Sequence, residues 1–340
     1  MKLHIRRLCM GIIAFAIISS FSTQDAKAQI GDIGDFFSAG AADAEALTRA
    51  YLSPLPTGVA TGLNSGWNGS ASARKTLGFN IAIRTSLAFV PTGSQDFDFN
   101  ELGLTNIELA PGESNILPTL NGDKGGTDVN LFAGSGPGRT QIGSFEIPGG
   151  IGFAGVPAPV IEAGIGLIKG TDITIHYLPE IGYDDYGDIS LIGGAIKHEL
   201  TQYLPAEKLI PVDISLMFGY TEMNINADLG GIGQTIEITN SAWVLNALVG
   251  KTLPFVSVYG GLGVQGGAMD VAAKGTFTVD SQIVAGGSIT DPFDYTEDSD
   301  AAVHALAGFR FKLGLIAFYL EGTLAEYSTV NAGLGISFRQ

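Results

Sequence analysis

The sequence predicts an all-β fold, a transmembrane antiparallel β-barrel of about 12 strands (10 to 14) with a short N-terminal helix, and three observations carry that prediction. Apolar and polar residues alternate over stretches of ten or more positions, the period of a strand with two unlike faces. After the first thirty residues no run approaches the ~18 to 20 uninterrupted apolar residues that a membrane helix needs. Short turns alternate with longer, more acidic connections, as the two rims of a membrane barrel require.

The first element is a leader over residues 1–28. Lys2, Arg6 and Arg7 precede an apolar run from Leu8 to about Phe21, and Ala26-Lys27-Ala28 forms a small-x-small cleavage site before Gln29. This predicts export from a Gram-negative cytoplasm and, with the strands below, residence in the cell outer membrane. The single cysteine, Cys9, lies inside the leader, so the mature chain has no thiol for a disulfide, a thiolate metal site or a nucleophile. Leaving out Lys2, Arg6, Arg7, Lys27 and Asp25 takes the formal net charge from −16 to −19. A chain this acidic repels nucleic acid, which excludes that class of partner.

The second element, residues 29–74, is an N-terminal helix and plug segment. Ala41 to Leu52 is rich in helix formers, with Asp43 and Glu45 in the first turn and Pro54 and Pro56 beyond its end. Ala44, Leu47 and Tyr51 share one apolar face, which predicts a lid or plug at the short-turn rim, the nearest barrel mouth. The glycine- and asparagine-rich run from Gly58 to Gly69 holds Trp67, and Leu47, Tyr51 and Trp67 are the candidate plug residues.

The third element, residues 75–340, is the barrel. From Leu77 to Val90, the residues Phe79, Ile81, Ile83, Leu87 and Phe89 oppose Asn80, Arg84 and Ser86. The pattern recurs from Val212 to Tyr220, from Val303 to Leu313 and from Ile316 to Tyr327. Ten strands are legible in this way, and the stretch from 95 to 158 is expected to add a pair near Phe97–Leu109 and Gln141–Phe153. A soluble β-sandwich also has one apolar face per strand, but its strands run to about 5 or 6 residues, whereas these reach the 9 to 11 that a tilted strand needs to cross a bilayer. In the last strand Val330, Ala332, Leu334, Ile336 and Phe338 alternate with small or polar residues. It resembles the C-terminal strand that barrel-insertion machinery recognises, although Arg339 and Gln340 follow the aromatic.

The order of leader, helix, Gly62-Leu-Asn-Ser-Gly-Trp67, first strand, Glu101-Leu-Gly-Leu-Thr-Asn106 and Gly166-Leu-Ile-Lys-Gly-Thr171 resembles a family of uncharacterised outer-membrane proteins of the Bacteroidota. That resemblance implies the fold and the location. In layout alone, an N-terminal segment preceding a barrel of this size is similar to the long-chain fatty-acid channel family, in which the plug and lumen bind an apolar substrate.

Arg84, Glu162, His176, Glu180, His304, Arg310 and Glu321 fall on the minority polar faces and are the candidate lumen-facing residues. Pairing among them and with Lys197 would close the lumen. No serine motif accompanies the histidines, so no catalytic residues and no enzyme activity are expected. The acid-rich run Asp291 to Asp300 and the group Asp184, Asp185 and Asp188 lack calcium-loop spacing and are read as solvated loops, with no metal and no cofactor. The expected partners are outer-membrane lipid, the insertion machinery during assembly and a small apolar ligand. The expected function is a passive channel or carrier for small hydrophobic compounds, the alternative being a non-conducting structural or assembly component that binds partner proteins.

Overall fold

A computed structural model describes residues 33–134, 136–182, 187–204, 211–229 and 233–339. The leader over 1–28, its cleavage site and the acids Asp184 and Asp185 lie outside the described residues. Among these residues the first elements are a 3-10 turn at Gly34–Ala39 and two helices, α1 (Ala41–Tyr51) and α2 (Leu55–Asn64). Strand β1 (Phe79–Phe89) follows. Next come five short strands, β2 (Asp96–Asp98), β3 (Ile107–Leu109), β4 (Ile116–Pro118), β5 (Thr127–Ala133) and β6 (Thr140–Ile147). Long strands resume with β7 (Gly155–Gly166), β8 (Thr171–Gly182), β9 (Gly187–Glu199), β10 (Asp213–Asp228), β11 (Thr235–Thr252) and β12 (Val256–Lys274). A small hairpin of β13 (Thr276–Thr278) and β14 (Ser288–Thr290) precedes β15 (Phe293–Leu313), β16 (Ile316–Leu324) and β17 (Thr329–Phe338).

Ten of these strands close into an antiparallel barrel in the order β1, β17, β16, β15, β12, β11, β10, β9, β8, β7. Closure is between the first and last strands, from Phe79 opposite Phe338 to Ala88 opposite Thr329. The polarity of the wall identifies its solvent. On β1, Ile81 is 56% exposed while its neighbour Asn80 is wholly buried. The same inversion holds around the ring, with Ile175, Ile192, Leu216, Leu245, Phe309, Phe318 and Leu334 turned outward. An apolar exterior this continuous is a lipid-facing surface. The fold is that of a transmembrane β-barrel. A soluble sandwich would bury these same residues.

The expected extra pair from 95 to 158 does not enter the wall. β1 pairs directly with β7, from Phe79 opposite Ile165 to Phe89 opposite Gly155, and the chain between them folds outside the ring. There β2 pairs with β4, and β3, β5 and β6 form a three-stranded sheet. The physical reason lies in the polarity of the sheet that replaces it: in β3 Ile107 is buried and Glu108 exposed, and in its partner β5 Thr127, Val129 and Leu131 are buried and Asp128 is exposed. A strand with its polar face outward cannot face lipid, but it can cover an apolar core in water.

That core is the cap of the barrel at the long-loop rim. β10, β11, β12 and β15 run to 16, 18, 19 and 21 residues, more than a bilayer needs. Their surplus forms a half-wall whose inner side carries Ile236, Ile238, Met269, Val271, Phe293 and Tyr295. The run from Asp291 to Asp300, expected as a solvated loop, is therefore strand from Phe293 onward. In it Phe293 and Tyr295 point in while Asp294, Thr296, Asp298 and Asp300 point out. The alternation is intact but reversed in polarity, and the acids are the wet face of a ladder.

Helix α1 completes this core, so it lies at the rim opposite to the one expected. The Asp43 carboxylate accepts from the backbone N–H groups of Thr105 and Asn106 (2.7 to 3.1 Å), and Tyr51 donates to Gly149 O (2.9 Å). Arg49 bonds Glu297 and Glu45 and lies 4.0 Å above the Tyr295 ring. The apolar face of Ala44, Leu47 and Tyr51 needs an apolar wall. Only the cap supplies one, because the short-turn end of the interior is charged.

Reversal of face polarity at the membrane border gives a direct test. Leu334→Arg, on the lipid side of β17, should destabilise the barrel in lipid vesicles by about 2 to 4 kcal/mol. Asp128→Arg, on the wet face of β5, should change it by less than about 0.5 kcal/mol. Urea titration of the two variants in vesicles compares them.

Candidate binding cavity and the filled lumen

From α1 the chain turns down into the barrel. Helix α2 touches β1, β7, β10, β11, β12 and β15, strands from all around the ring, and so lies inside it. Its sequence, Leu-Pro-Thr-Gly-Val-Ala-Thr-Gly-Leu-Asn, is built of small residues, and Gly58 sits so near β7 that a Cβ there would be 2.7 Å from Val156 Cγ2. Val59 and Leu63 pack with Val156, Val160, Leu178 and Met223 in an apolar layer below the cap.

Residues 65–74 then descend to the short-turn rim through a polar layer that binds their backbone. Gly66 N–H donates to Glu321 Oε1 (2.8 Å), while the Tyr259 hydroxyl lies 3.0 Å from both Glu321 Oε2 and Asn68 O, with its one proton shared between them. Arg84 donates to Asn68 O (2.9 Å), to Glu162 Oε2 (3.1 Å) and, through two nitrogens, to Asn331 Oδ1 (2.8 and 3.0 Å). Lys197 donates to Ser70 O and Ser72 O (3.0 and 3.1 Å) and pairs with Asp172 at 3.2 Å. Arg74 meets the same carboxylate at 3.1 Å, and Glu199 accepts from Ala73 N–H at 2.8 Å. Gly66 itself has φ +84°, and a Cβ would fall 2.3 Å from Asn331 Nδ2. Glycine is required there both for the turn and for the close approach.

Each residue singled out from sequence can now be placed. Arg84, Glu162, His176, His304, Arg310 and Glu321 are buried within the ring. His176 lies 3.3 Å from Glu162 Oε2 and stacks on Trp67 at 3.5 Å between ring centres. His304 bonds Asn246 Oδ1 (2.7 Å), and Arg310 bonds Ser257 Oγ (2.7 Å). Glu180 differs. It is exposed, beside a register shift in β8 between Leu178 and Ile181. Trp67 lies inside the barrel, whereas Leu47 and Tyr51 belong to the cap core. Sequence reasoning missed Arg74, Asn68, Asn331 and Glu199. The first two sit in a run of Gly, Asn and Ser that has the composition of a linker. Among the described residues no group of three or more His, Cys, Asp or Glu side chains is placed to hold a metal ion.

Between the cap and α2 lies an apolar cavity of about 260 Å³, near the lower end of small-ligand sites. Leu52, Leu55, Val156, Ile225, Ile236 and Ile238 are among its walls, and among the described residues no charged side chain lines it.

Beside it the wall is incomplete. β7 pairs with β8 only from Ile161 opposite Tyr177 to Gly166 opposite Asp172. Beyond that point β7 continues on β1 and β8 continues on β9, with no pairing to each other. Three prolines account for the gap. Gly166 N–H donates to Gly78 O and Val90 N–H to Ala154 O, so even-numbered positions of β7 bond toward β1, while Leu167 N–H donates to Thr171 O on the β8 side. Pro157 and Pro159 are odd-numbered, and their missing N–H groups fall on the β8 edge. Continued register would set Pro159 opposite Pro179, two residues with no N–H to exchange.

Over residues 1–338 the sequence matches the model of a family described as a family of unknown function, DUF6588, and the chain belongs to that family. No curated protein matches it. Among solved structures, the chain is similar to the attachment invasion locus protein Ail of Yersinia pestis (8% identity, TM-score 0.28, covering 78% of this chain and 100% of that one). It is also similar to the translocator domain of the autotransporter NalP from Neisseria meningitidis (12%, 0.29, 88% and 98%) and to the CymD monoaromatic hydrocarbon channel (9%, 0.24, 78% and 89%). Likenesses at these TM-scores carry no inference about the chemistry of this chain.

Two outcomes follow from the filled interior. Arg84→Leu leaves Glu162 buried without its cation and should cost about 3 to 5 kcal/mol, read as a lower urea midpoint in detergent. In planar bilayers the intact protein should give no steady ion conductance, and deletion of residues 33–74 should open a conducting pore.

Proposed function

We propose that this protein is a passive outer-membrane carrier for small hydrophobic compounds, which enter the cavity under the cap and leave sideways between β7 and β8 into the bilayer. The unpaired edge of Pro157, Pro159 and Pro179 carries this proposal. A ladder in hydrocarbon is expected to bond every N–H and C=O, so a gap held open by three prolines needs a reason. An apolar compound gains by moving from water to an apolar cavity and then to lipid, at roughly 25 cal/mol per Å² of surface removed from water. The route downward is unfavourable for it, because it would have to displace residues 65–74 from a lattice of charged hydrogen bonds.

A role without catalysis agrees with the partners of the histidines: His176 is held between Trp67 and Glu162, and His304 by Asn246. The outward apolar belt and the last strand suit lipid and the barrel-insertion machinery as partners. One observation favours the second reading, a non-conducting structural or assembly component: the charged layer fills the lower interior and holds the N-terminal segment rigidly. That role requires a stoichiometric partner in cross-linked envelopes, and its absence there would count against it.

The carrier is tested by closing the seam. In a chain bearing Pro159→Cys and Pro179→Cys, joined by a short bis-maleimide, influx of the hydrophobic probe N-phenylnaphthylamine into intact cells should fall to the level of cells lacking the protein. The same variant left unlinked regains two ladder N–H groups but keeps Pro157, and its influx should lie between that of the linked protein and that of the native chain. Influx in the linked protein equal to that of the native chain would rule out lateral exit at this seam.

A further inference from the structure

At the other end of the barrel from the cap, the short-turn rim holds a second cavity, of about 280 Å³, behind the turn that joins β11 to β12. Its walls are residues 252–257 of that turn, with Arg310 and Lys312 from β15. Among the described residues no acid lines it. In a chain whose formal net charge is −16, two cations and no carboxylate on one pocket wall are an exception.

These two cations differ from the other basic residues of the interior in having no counterion. Arg84 meets Glu162, and Arg74 and Lys197 share Asp172. No carboxylate among the described residues pairs with Arg310 or Lys312. The charges that act on Lys312 are those of Arg310 and Lys75, which repel it. Arg310 is only 4% exposed, and its guanidinium makes one hydrogen bond, from Nη2 to Ser257 Oγ (2.7 Å). Its Nε is buried without a partner. Nη1 makes no bond to the described residues either, and it keeps surface that Nε lacks, on a side chain that forms part of the pocket wall. A buried charge without a partner is costly, so this pair calls for an anion from outside the chain.

We propose that this pocket binds a phosphate group, with Arg310 Nη1 and Lys312 Nζ as its donors. A guanidinium and a mobile ammonium on one wall match an oxyanion with several acceptor oxygens, and Ser257, by accepting from Nη2, fixes the direction in which Nη1 points. The rim offers phosphate from two sources. Leu253 and Phe255 are exposed apolar residues of the turn, which sets the pocket beside the lipid border, where the phosphates of phospholipid headgroups lie. Arg310 and Lys312 stand on the inner face of β15, between the outward Phe309, Phe311 and Leu313, so a phosphate ester dissolved in the water at the barrel mouth can reach them too. The site is independent of the carrier, whose cavity lies at the opposite rim.

The full chain in dodecyl maltoside, a detergent without phosphate, allows both sources to be tested. Equilibrium dialysis against radiolabelled inorganic phosphate in chloride buffer measures the free anion, and native mass spectrometry after addition of phosphatidylglycerol counts retained lipid. A single phosphate or a single lipid should be held by each chain. Lys312→Gln removes one charge-assisted hydrogen bond and should weaken that binding about tenfold. Lys251→Gln removes a cation from the same rim but outside the pocket, and should leave binding unchanged. Arg310→Met should abolish it. In the phosphate-free detergent this last variant should unfold at a urea concentration no lower than the native chain, because it removes a buried charge that the protein does not compensate.

Binding of free phosphate supports the site with a soluble ester as its source. Retention of phosphatidylglycerol without binding of free phosphate supports it with the lipid as its source. An equal loss in Lys251→Gln and Lys312→Gln would overturn the pocket in favour of diffuse attraction to a basic rim. A lower urea midpoint for Arg310→Met would overturn the premise that Arg310 lacks a partner and make it a structural arginine. Binding of neither probe would overturn the site and leave the carrier standing.

Discussion

A barrel in lipid encloses the polar faces of its strands, and those faces must be satisfied by something. In this chain the N-terminal segment does it. Residues 65–74 present backbone groups to Glu321, Arg84, Lys197, Asp172 and Glu199, and the wall carries those charges because the segment is there to meet them. Removing the segment would leave carboxylates and cations facing one another across water. Removing the charges would leave a peptide buried without partners. Neither half of the arrangement is sensible alone, and the position of α1, the glycine at 66 and the stacking of Trp67 on His176 all follow from it.

The direction of the segment sets the rest of the architecture. β1 begins at the short-turn rim, so a chain that runs through the interior before β1 must start at the other rim. The apolar face of α1 is thereby delivered to the long-loop side, where it needs a core. The surplus lengths of β10, β11, β12 and β15 and the sheets between β1 and β7 supply that core. The cap and the filled lumen are thus two consequences of one path, and the cavity lies where the apolar cap meets the top of the polar column.

The sequence made the wall legible because lipid-facing strands alternate with a fixed polarity. All ten barrel strands could be read from residues such as Ile81, Phe218 and Leu334 against Asn80, Met217 and Gly335. The same rule failed wherever the polarity reversed. In Phe293 to Asp300 and in the sheet of β3, β5 and β6 the acids lie outward, so the first reads as a loop and the segments around β3 and β6 read as part of the wall. The buried groups on long strands were visible as minority-face residues. Arg74, Asn68 and the wet-looking glycine run around them were not, because no local pattern distinguishes a peptide bound inside a barrel from a solvated linker. Glu180 was misplaced by a different cause: the register shift in β8 that parity alone cannot reveal.

The prolines explain why the seam sits where it does. Lower on β7 and β8, Ile161 to Gly166 and Asp172 to Tyr177 keep a full ladder beside the charged column, where a breach would let lipid reach Glu162 and Asp172. Pro157, Pro159 and Pro179 occur only above that level, next to Val156, Val160 and Leu178, where the interior is already apolar. An opening there exposes hydrocarbon to hydrocarbon and costs little beyond the unmade backbone bonds. Proline reduces even that cost, since each one removes a donor that would otherwise be left unpaired. The wall is therefore interrupted at the one height where interruption is cheapest and where the cavity behind it is lined by apolar side chains. A gap selected merely for tolerance would not need three prolines aligned on the facing edges of two strands.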